Sequence, residues 1–273
     1  LAALYIKHAD NKEPVEMLHR AEKAILKALN VYTIHESPGR YTSARTQLCT
    51  VYEELASLGN RQEYLQKALD ELEKALSVVS AEDDPGTFAY VCQIAGDLYR
   101  QLSDIEEREL NFGKSIEYYS NVVENIDFQD SPEHYCGALC GLALTYAYMA
   151  DFGDTRKNLK KALDILDRGF VMVGKDEYPR IHSKLNLYKA GIFNKLAFIR
   201  DREANARKAL EHLVLAGEFY ESEPGTKMFF KLYSGYCIAY WNLATRIDTM
   251  ENIQMALEAT ETVLDYCDTQ RYP

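Results

Sequence analysis

The sequence predicts an all-α protein, an α-solenoid wound as a right-handed superhelix of about six antiparallel helix-turn-helix repeats. Three observations predict this fold: an aromatic residue, a proline and a helix-capping residue each recur with a spacing of 47 residues across the 273-residue chain. A fixed period of this length is typical of repeat architectures, in which each repeat is one unit of secondary structure that stacks on its neighbours.

The aromatic residue lies on the first helix of each repeat, here called helix A, and is Tyr5, Tyr52, Tyr99, Tyr146, Phe193 and Tyr240. Three residues before it stand the small residues Ala2, Cys49, Gly96, Ala143, Ala190 and Cys237. Sixteen residues after it, on the second helix or helix B, stand Ala21, Ala68, Ser115, Ala162, Ala209 and Ala256. Residues three apart share one helix face, so the pattern predicts that small and aromatic residues alternate in a continuous core.

Prolines mark where helix A begins. Pro38, Pro85, Pro132 and Pro179 are 47 residues apart, and the series resumes at Pro273 because Thr226 occupies the intervening place. Ser37, Asp84 and Ser131 precede three of these prolines, and a capping side chain followed by proline is typical of a helix start. The predicted array therefore covers residues 1–273, with repeats at 1–36 (partial), 37–83, 84–130, 131–177, 178–224 and 225–271.

Polar residues mark where helix B begins. Asn60, Asp154, Asp201 and Asp248 occupy equivalent positions and are predicted N-caps, with capping boxes formed by Asn60 with Glu63 and by Asp248 with Glu251. At the position four residues into helix B stand Asn111, Asn158, Asn205 and Asn252 in four of the repeats. These asparagines are predicted to tie helix B to the preceding turn, because a ligand site would rarely need four identical copies.

Two motifs resemble the tetratricopeptide repeat family over essentially the whole chain. Gly96 and Tyr99 are similar to its glycine–tyrosine pair, and Ala68, Leu72 and Ala75 are similar to its second-helix pattern. That family has a period of about 34 residues, so this chain resembles a variant with longer helices. HEAT or armadillo repeats fit the period by length, but their second helix lacks this alanine spacing.

The composition and the distribution of charge exclude some classes of binding partner. Residues 1–136 hold 13 Lys and Arg against 24 Asp and Glu, a net charge of −11, whereas residues 137–273 hold 18 of each. An acidic first half disfavours nucleic acid and anionic membranes and favours a cationic segment, although excess acid also serves solubility alone. No segment has the length of about 20 apolar residues needed to span a bilayer. The six cysteines have no framework spacing, which indicates the cytoplasm.

The sequence contains no complete motif for catalysis, phosphate binding or metal binding. The stretch Phe112 to Ser115 lacks the first glycine of a phosphate loop, since Arg108 stands there. Cys136 and Cys140 have no second pair to complete a zinc site. No metalloprotease, nucleophile-elbow or dinucleotide motif occurs. The prediction is therefore a protein that is not an enzyme and has no cofactor and no metal.

A binding surface is predicted on the face of helix A opposite the aromatic residue, because this face varies between repeats. The resemblance implies that it lines a concave groove for an extended peptide or a partner helix. The candidate ligand-binding residues are Glu53, Asp97, Arg100, Leu144, Tyr148, Lys184, Asn194, Lys195, Lys231, Trp241 and Asn242. Along the chain this surface is acidic, then polar, then apolar, then basic, which suits a ligand with a basic end, an apolar middle and a carboxylate end. Alternatively, the face has drifted without a ligand and is partly buried between helices A.

Trp241, the single tryptophan, is either an anchor in that groove or a residue that packs against helix A of a following copy. Lys184, Lys195 and Lys231, with Asn194 and Asn242, resemble in residue type the family's clamps for chaperone tails and are candidates to hold a carboxylate.

The predicted function is a cytoplasmic scaffold that binds a protein or peptide along its concave face. The alternatives are a module in which a bound peptide gates an attached domain, and an accessory or catalytic solenoid. Because Leu1 aligns with mid-helix Leu48 and helix B of the last repeat keeps Val263 and Leu264, we also expect a longer array or self-association through the array ends.

Overall fold

A computed structural model describes residues 14–266, and within this range the chain forms eleven α-helices and no β-strand. The helices are α1 (Pro14–Leu29), α2 (Pro38–Leu58), α3 (Arg61–Leu76), α4 (Pro85–Leu102), α5 (Arg108–Asn125), α6 (Pro132–Met149), α7 (Thr155–Met172), α8 (Pro179–Ile199), α9 (Arg202–Tyr220), α10 (Lys227–Ala244) and α11 (Thr249–Tyr266). The predicted all-α fold is confirmed. The predicted roles of Ala2, Tyr5 and Pro273 fall outside the described residues.

The helices keep the period of the sequence. Helix B begins at Pro14, Arg61, Arg108, Thr155, Arg202 and Thr249, each 47 residues after the last. Helix A begins at Pro38, Pro85, Pro132 and Pro179, and the last helix A begins at Lys227, directly after Thr226. Proline at the first helical position lacks only an N–H that would have had no helical partner, so it starts a helix at no cost.

The chain divides into two compact units, the first ending at Gly141 and the second beginning at Leu142. In the first unit α1 to α5 pack in sequence order, each on the next. Their core contains the predicted repeat residues, for example Cys49 and Ala68, which are fully buried. The Cys49 thiol donates to the Ala68 carbonyl at 3.2 Å. Small residues therefore let helices A and B of one repeat approach closely.

In the second unit α7 to α11 also pack in sequence order, and α8 contacts α10 as well as α9. Ala190, Ala209 and Phe193 are buried, as the repeat pattern predicts. Contacts between neighbours and between successive helices A are consistent with a solenoid of helical repeats. The right-handed superhelix and the single array over residues 1–273 remain predictions.

Two of the predicted caps of helix B are wrong. Asn60 and Asp201 have left-handed backbones, with φ of 47° and 44°, and neither side chain caps its helix. Asp248 also has a left-handed backbone, with a φ of 41°. Asp154, with a φ of −68°, caps as predicted, by accepting from the Lys157 N–H at 3.0 Å. Because the Asn60 side chain makes no cap bond, the capping box from Asn60 to Glu63 does not form.

The predicted tie between helix B and its turn is confirmed in three repeats. The amides of Asn111, Asn205 and Asn252 each donate to the carbonyl five residues earlier, at 2.8, 2.8 and 3.0 Å. Each of these repeats has a left-handed residue before helix B, whereas the repeat with Asp154 does not. The asparagine bond thus belongs to the left-handed form of the turn.

The caps of helix A are partly as predicted. Asp84 accepts from the Thr87 N–H at 3.0 Å, but Ser37 makes no side-chain cap. Thr226, which stands where a proline was expected, accepts from the Phe229 N–H at 3.2 Å. At the start of α10 a capping hydroxyl group therefore takes the place of the proline.

Candidate functional site

In the first unit the candidate residues link neighbouring helices A. Glu53 on α2 accepts a hydrogen bond from Gln101 on α4 at 3.1 Å. Asp97 and Arg100 form an ion pair within α4 at 2.5 Å. Tyr90, on the same face of α4, is 46% exposed. Partial burial of its side chain and the negative charge of Glu53 raise the pKa of its hydroxyl group. An acidic, partly open surface with one accessible aromatic ring results.

In the second unit Lys195 of α8 reaches back to the end of α6. Its ammonium group donates to the Ala147 carbonyl at 2.5 Å and to the Asp151 carboxylate at 2.6 Å. The same group lies 5.8 Å from the ring centroid of Tyr148, which is 38% exposed. A cation at a helix C-terminus is favourable, and here the cation lies beside the ring of an accessible tyrosine. Leu144, one turn earlier on α6, is half-buried.

The other two candidate lysines lie on successive helices A. Lys184 on α8 and Lys231 on α10 occupy repeat-equivalent positions and are both half-buried. The ammonium group of Lys231 lies 3.7 Å from the ring centroid of Tyr188 on α8. This cation–π contact directs Lys231 toward the preceding helix A.

Two candidates do not line an open surface. Asn194 is 4% exposed, and its amide donates to the Gly235 carbonyl on α10 at 2.9 Å. Asn242 is fully buried, and neither polar atom of its side chain has a hydrogen-bond partner among the described residues. In this conformation both side chains lie between helices, where a ligand cannot reach them without rearrangement.

Trp241 is 56% exposed, and Ile238, one turn earlier on α10, is 40% exposed. Trp241 is the repeat equivalent of Asn194 and of Ala147, both of which are buried. The position is therefore one that the next helix A normally covers.

Sequence reasoning missed a cluster of aromatic and imidazole rings in the second unit. The rings of Phe193 and His212 stack with centroids 5.5 Å apart, and Phe170 meets His182 edge-on at 5.4 Å. Asn186 lies between the imidazoles, 3.2 Å from His182 Nδ1 and 2.7 Å from His212 Nδ1. The only signal was the one-turn spacing of His182 and Asn186, since His212 lies on the next helix.

Burial and, to a smaller extent, nearby lysines lower the pKa of both imidazoles, that of His212 to about 4. Both rings are therefore neutral near pH 7, and they share hydrogen bonds with one amide. This arrangement suits a packed, neutral core layer.

Among residues 14–266 no group of three or more His, Cys, Asp or Glu side chains is placed to hold a metal ion. None of the helices described combines the length and apolar character required to cross a bilayer. The chain matches no protein-family model, and no curated protein matches it. The tetratricopeptide likeness thus remains a resemblance carried by the residues themselves.

Proposed function

We propose that this protein is a binding scaffold that holds a peptide or a segment of a partner protein along the helix A faces. The single observation that carries the proposal is an accessible aromatic ring on this face in each unit, Tyr90 near the negative charge of Glu53 and Tyr148 beside Lys195. Tyrosine is a favoured binding anchor, because its ring buries a large area at small entropic cost.

The charges beside the two rings define the ligand for each face. Glu53 favours a basic or amide-rich segment in the first unit, where Asp97 is already paired with Arg100. Lys184 favours an acidic segment or a terminal carboxylate in the second unit, where Lys195 is already paired with Asp151. Such a protein needs no catalytic group and no cofactor.

We further infer a cytoplasmic location. Cys49, Cys92 and Cys237 are free thiols. Burial raises the pKa of the Cys92 thiol to about 12, so this group is an unreactive core residue of a kind that a reducing compartment preserves.

A displayed peptide library tests the second-unit face. We expect selected peptides to combine an apolar centre with acidic residues or a free carboxylate, and Tyr148→Ala or Lys184→Glu to weaken their binding at least about tenfold. The matched control is Phe198→Ala, which removes a ring that is 56% exposed at the end of α8. Peptides without a charge preference, or equal loss with Phe198→Ala, would contradict the proposal.

A further inference from the structure

The outer face of α7 is more basic than that of any other helix B in residues 14–266. α7 has five basic and two acidic side chains, a net charge of +3, whereas no other helix B has a net charge above +1. Leu159, Ala162 and Leu166 bury the opposite side of α7, so the charged side chains face solvent. The exposed basic residues are Arg156, Lys157, Lys160, Lys161 and Arg168.

The fold does not neutralise this positive charge. Elsewhere in the second unit several cations are paired, namely Lys175 with Glu218, Lys189 with Asp167, Lys195 with Asp151 and Arg207 with Glu203. On α7 the ammonium group of Lys161 lies 4.9 Å from the ring centroid of Tyr146. Arg156, Lys157 and Lys160 form no ion pair and cover no ring among the described residues. Three adjacent cations are therefore open to a partner.

The positions of these cations are unfavourable for the helix itself. Arg156 and Lys157 lie in the first turn of α7, where a positive charge opposes the helix dipole. Arg156 with Lys160, and Lys157 with Lys161, are like-charged pairs four residues apart, and such pairs lower the stability of a helix. Helix stability therefore does not explain the basic residues, whereas an anionic partner would relieve both repulsions.

The equivalent helix of the next repeat shows the favourable arrangement. In α9, Glu203 occupies the place of Arg156, and Arg207 occupies the place of Lys160. The Glu203 carboxylate and the Arg207 guanidinium form an ion pair at 3.0 Å. The two helices thus have attraction and repulsion, respectively, at the same two positions of the repeat.

The size of the basic surface indicates a short acidic segment as the partner. The three open cations span about 6 Å along the helix axis, and Asp164 and Asp167 follow in the next turns. A nucleic-acid backbone or an anionic bilayer would meet these carboxylates as well, and the net charge of −11 repels both polyanions at long range. A few neighbouring glutamates or aspartates can contact the cations alone.

We propose that the first two turns of α7 bind a short acidic segment of a partner protein, whose carboxylates pair with Arg156, Lys157 and Lys160. This surface lies on a helix B, so it is distinct from the helix A faces assigned to peptide binding. Either activity can therefore be lost without the other.

The probe is a fluorescein-labelled peptide, Glu-Glu-Leu-Glu-Glu-Leu-Glu-Glu, titrated with the full chain and followed by fluorescence anisotropy. We expect saturable binding that weakens as the salt concentration rises, because salt screens contacts between exposed charges. The same peptide with glutamine in place of every glutamate should not bind. A uridine oligonucleotide and vesicles that contain phosphatidylserine are the competitors. Displacement of the peptide by either competitor at a lower concentration than by unlabelled peptide would overturn the proposal.

Arg156→Glu separates loss of binding from loss of folding. The variant should weaken peptide binding at least about tenfold, because it replaces an attractive charge with a repulsive one. It should nevertheless raise the melting temperature by about 1–4 °C, since the new glutamate complements the helix dipole and can pair with Lys160 as Glu203 pairs with Arg207. Binding and stability therefore change in opposite directions.

Lys227→Glu is the matched control, because it makes the same change of charge at an exposed lysine in the first turn of α10, in the same unit. It should leave peptide binding unchanged, as should Tyr148→Ala on the helix A face. The proposal fails if Arg156→Glu binds the peptide as well as the original chain does. It also fails if either control weakens binding as much as Arg156→Glu, since the peptide would then respond to net charge or occupy the helix A face.

Discussion

Tyr119 shows how one residue of the repeat is accommodated by its neighbours. Its ring is buried between Gly96 and Gly141, at a place where three other repeats have Leu72, Leu166 and Leu213. A methyl group added at Gly96 or Gly141 would lie 2.7 or 2.3 Å from ring carbons of Tyr119. The larger side chain thus fits because both facing helices present glycine.

Gly141→Ala should therefore lower the free energy of unfolding by about 1–3 kcal/mol, because overpacking of a buried ring outweighs the gain in helix propensity. Gly113→Ala on α5, where an added methyl group meets nothing within 4 Å, should raise it by about 0.5–1 kcal/mol. Urea unfolding measures both. Adding Tyr119→Leu to Gly141→Ala should recover part of the loss. Strict additivity in that double-mutant cycle would refute the proposed packing.

At the scale of the element, the turn between helices A and B adopts one of two backbone conformations. Repeat-equivalent Asp154 and Asp201 are the same residue type 47 positions apart, yet Asp154 caps its helix and Asp201 adopts a left-handed backbone. At this turn the amide of Asn205 donates to the Arg200 carbonyl at 2.8 Å. The same local sequence signal therefore accompanies either geometry.

The same substitution should accordingly have opposite effects at the two turns. Asp201→Gly should stabilise the protein by about 0.5–1 kcal/mol, because glycine adopts a positive φ without the steric cost of a Cβ atom. Asp154→Gly should destabilise it by a few tenths of a kcal/mol, since the capping carboxylate is lost. Thermal unfolding of the two variants in parallel gives the comparison. A shift of the same sign in both would mean that the two turns do not differ.

The helices and their order along the chain could be predicted from the sequence. The prolines, small residues and aromatic residues that determine them act on their own helix and recur in each repeat. The backbone conformation of each turn did not follow from the sequence, because Asn60 and Asp154 are both good capping residues and yet adopt different conformations. Which residues are accessible depends on contacts between helices that are far apart in the sequence. Asn194 and Trp241 are repeat equivalents, yet Asn194 is buried against Gly235 of α10 and Trp241 is exposed among the described residues. Residue type and spacing cannot predict that difference.

At the scale of the whole molecule, stability should be distributed by unit, because repeat proteins gain their stability from contacts between neighbours. Leu72 in the first unit and Leu213 in the second are each 1% exposed and occupy equivalent positions in the repeat. Replacing either with alanine should cost about 2–5 kcal/mol locally. Hydrogen exchange followed by mass spectrometry should show lost protection in the α2 to α5 peptides for Leu72→Ala and in the α8 to α11 peptides for Leu213→Ala. Equal loss along the whole described chain in both variants would instead mean that the two units unfold as one cooperative domain, in which case a ligand held by one helix A face would stabilise every repeat alike.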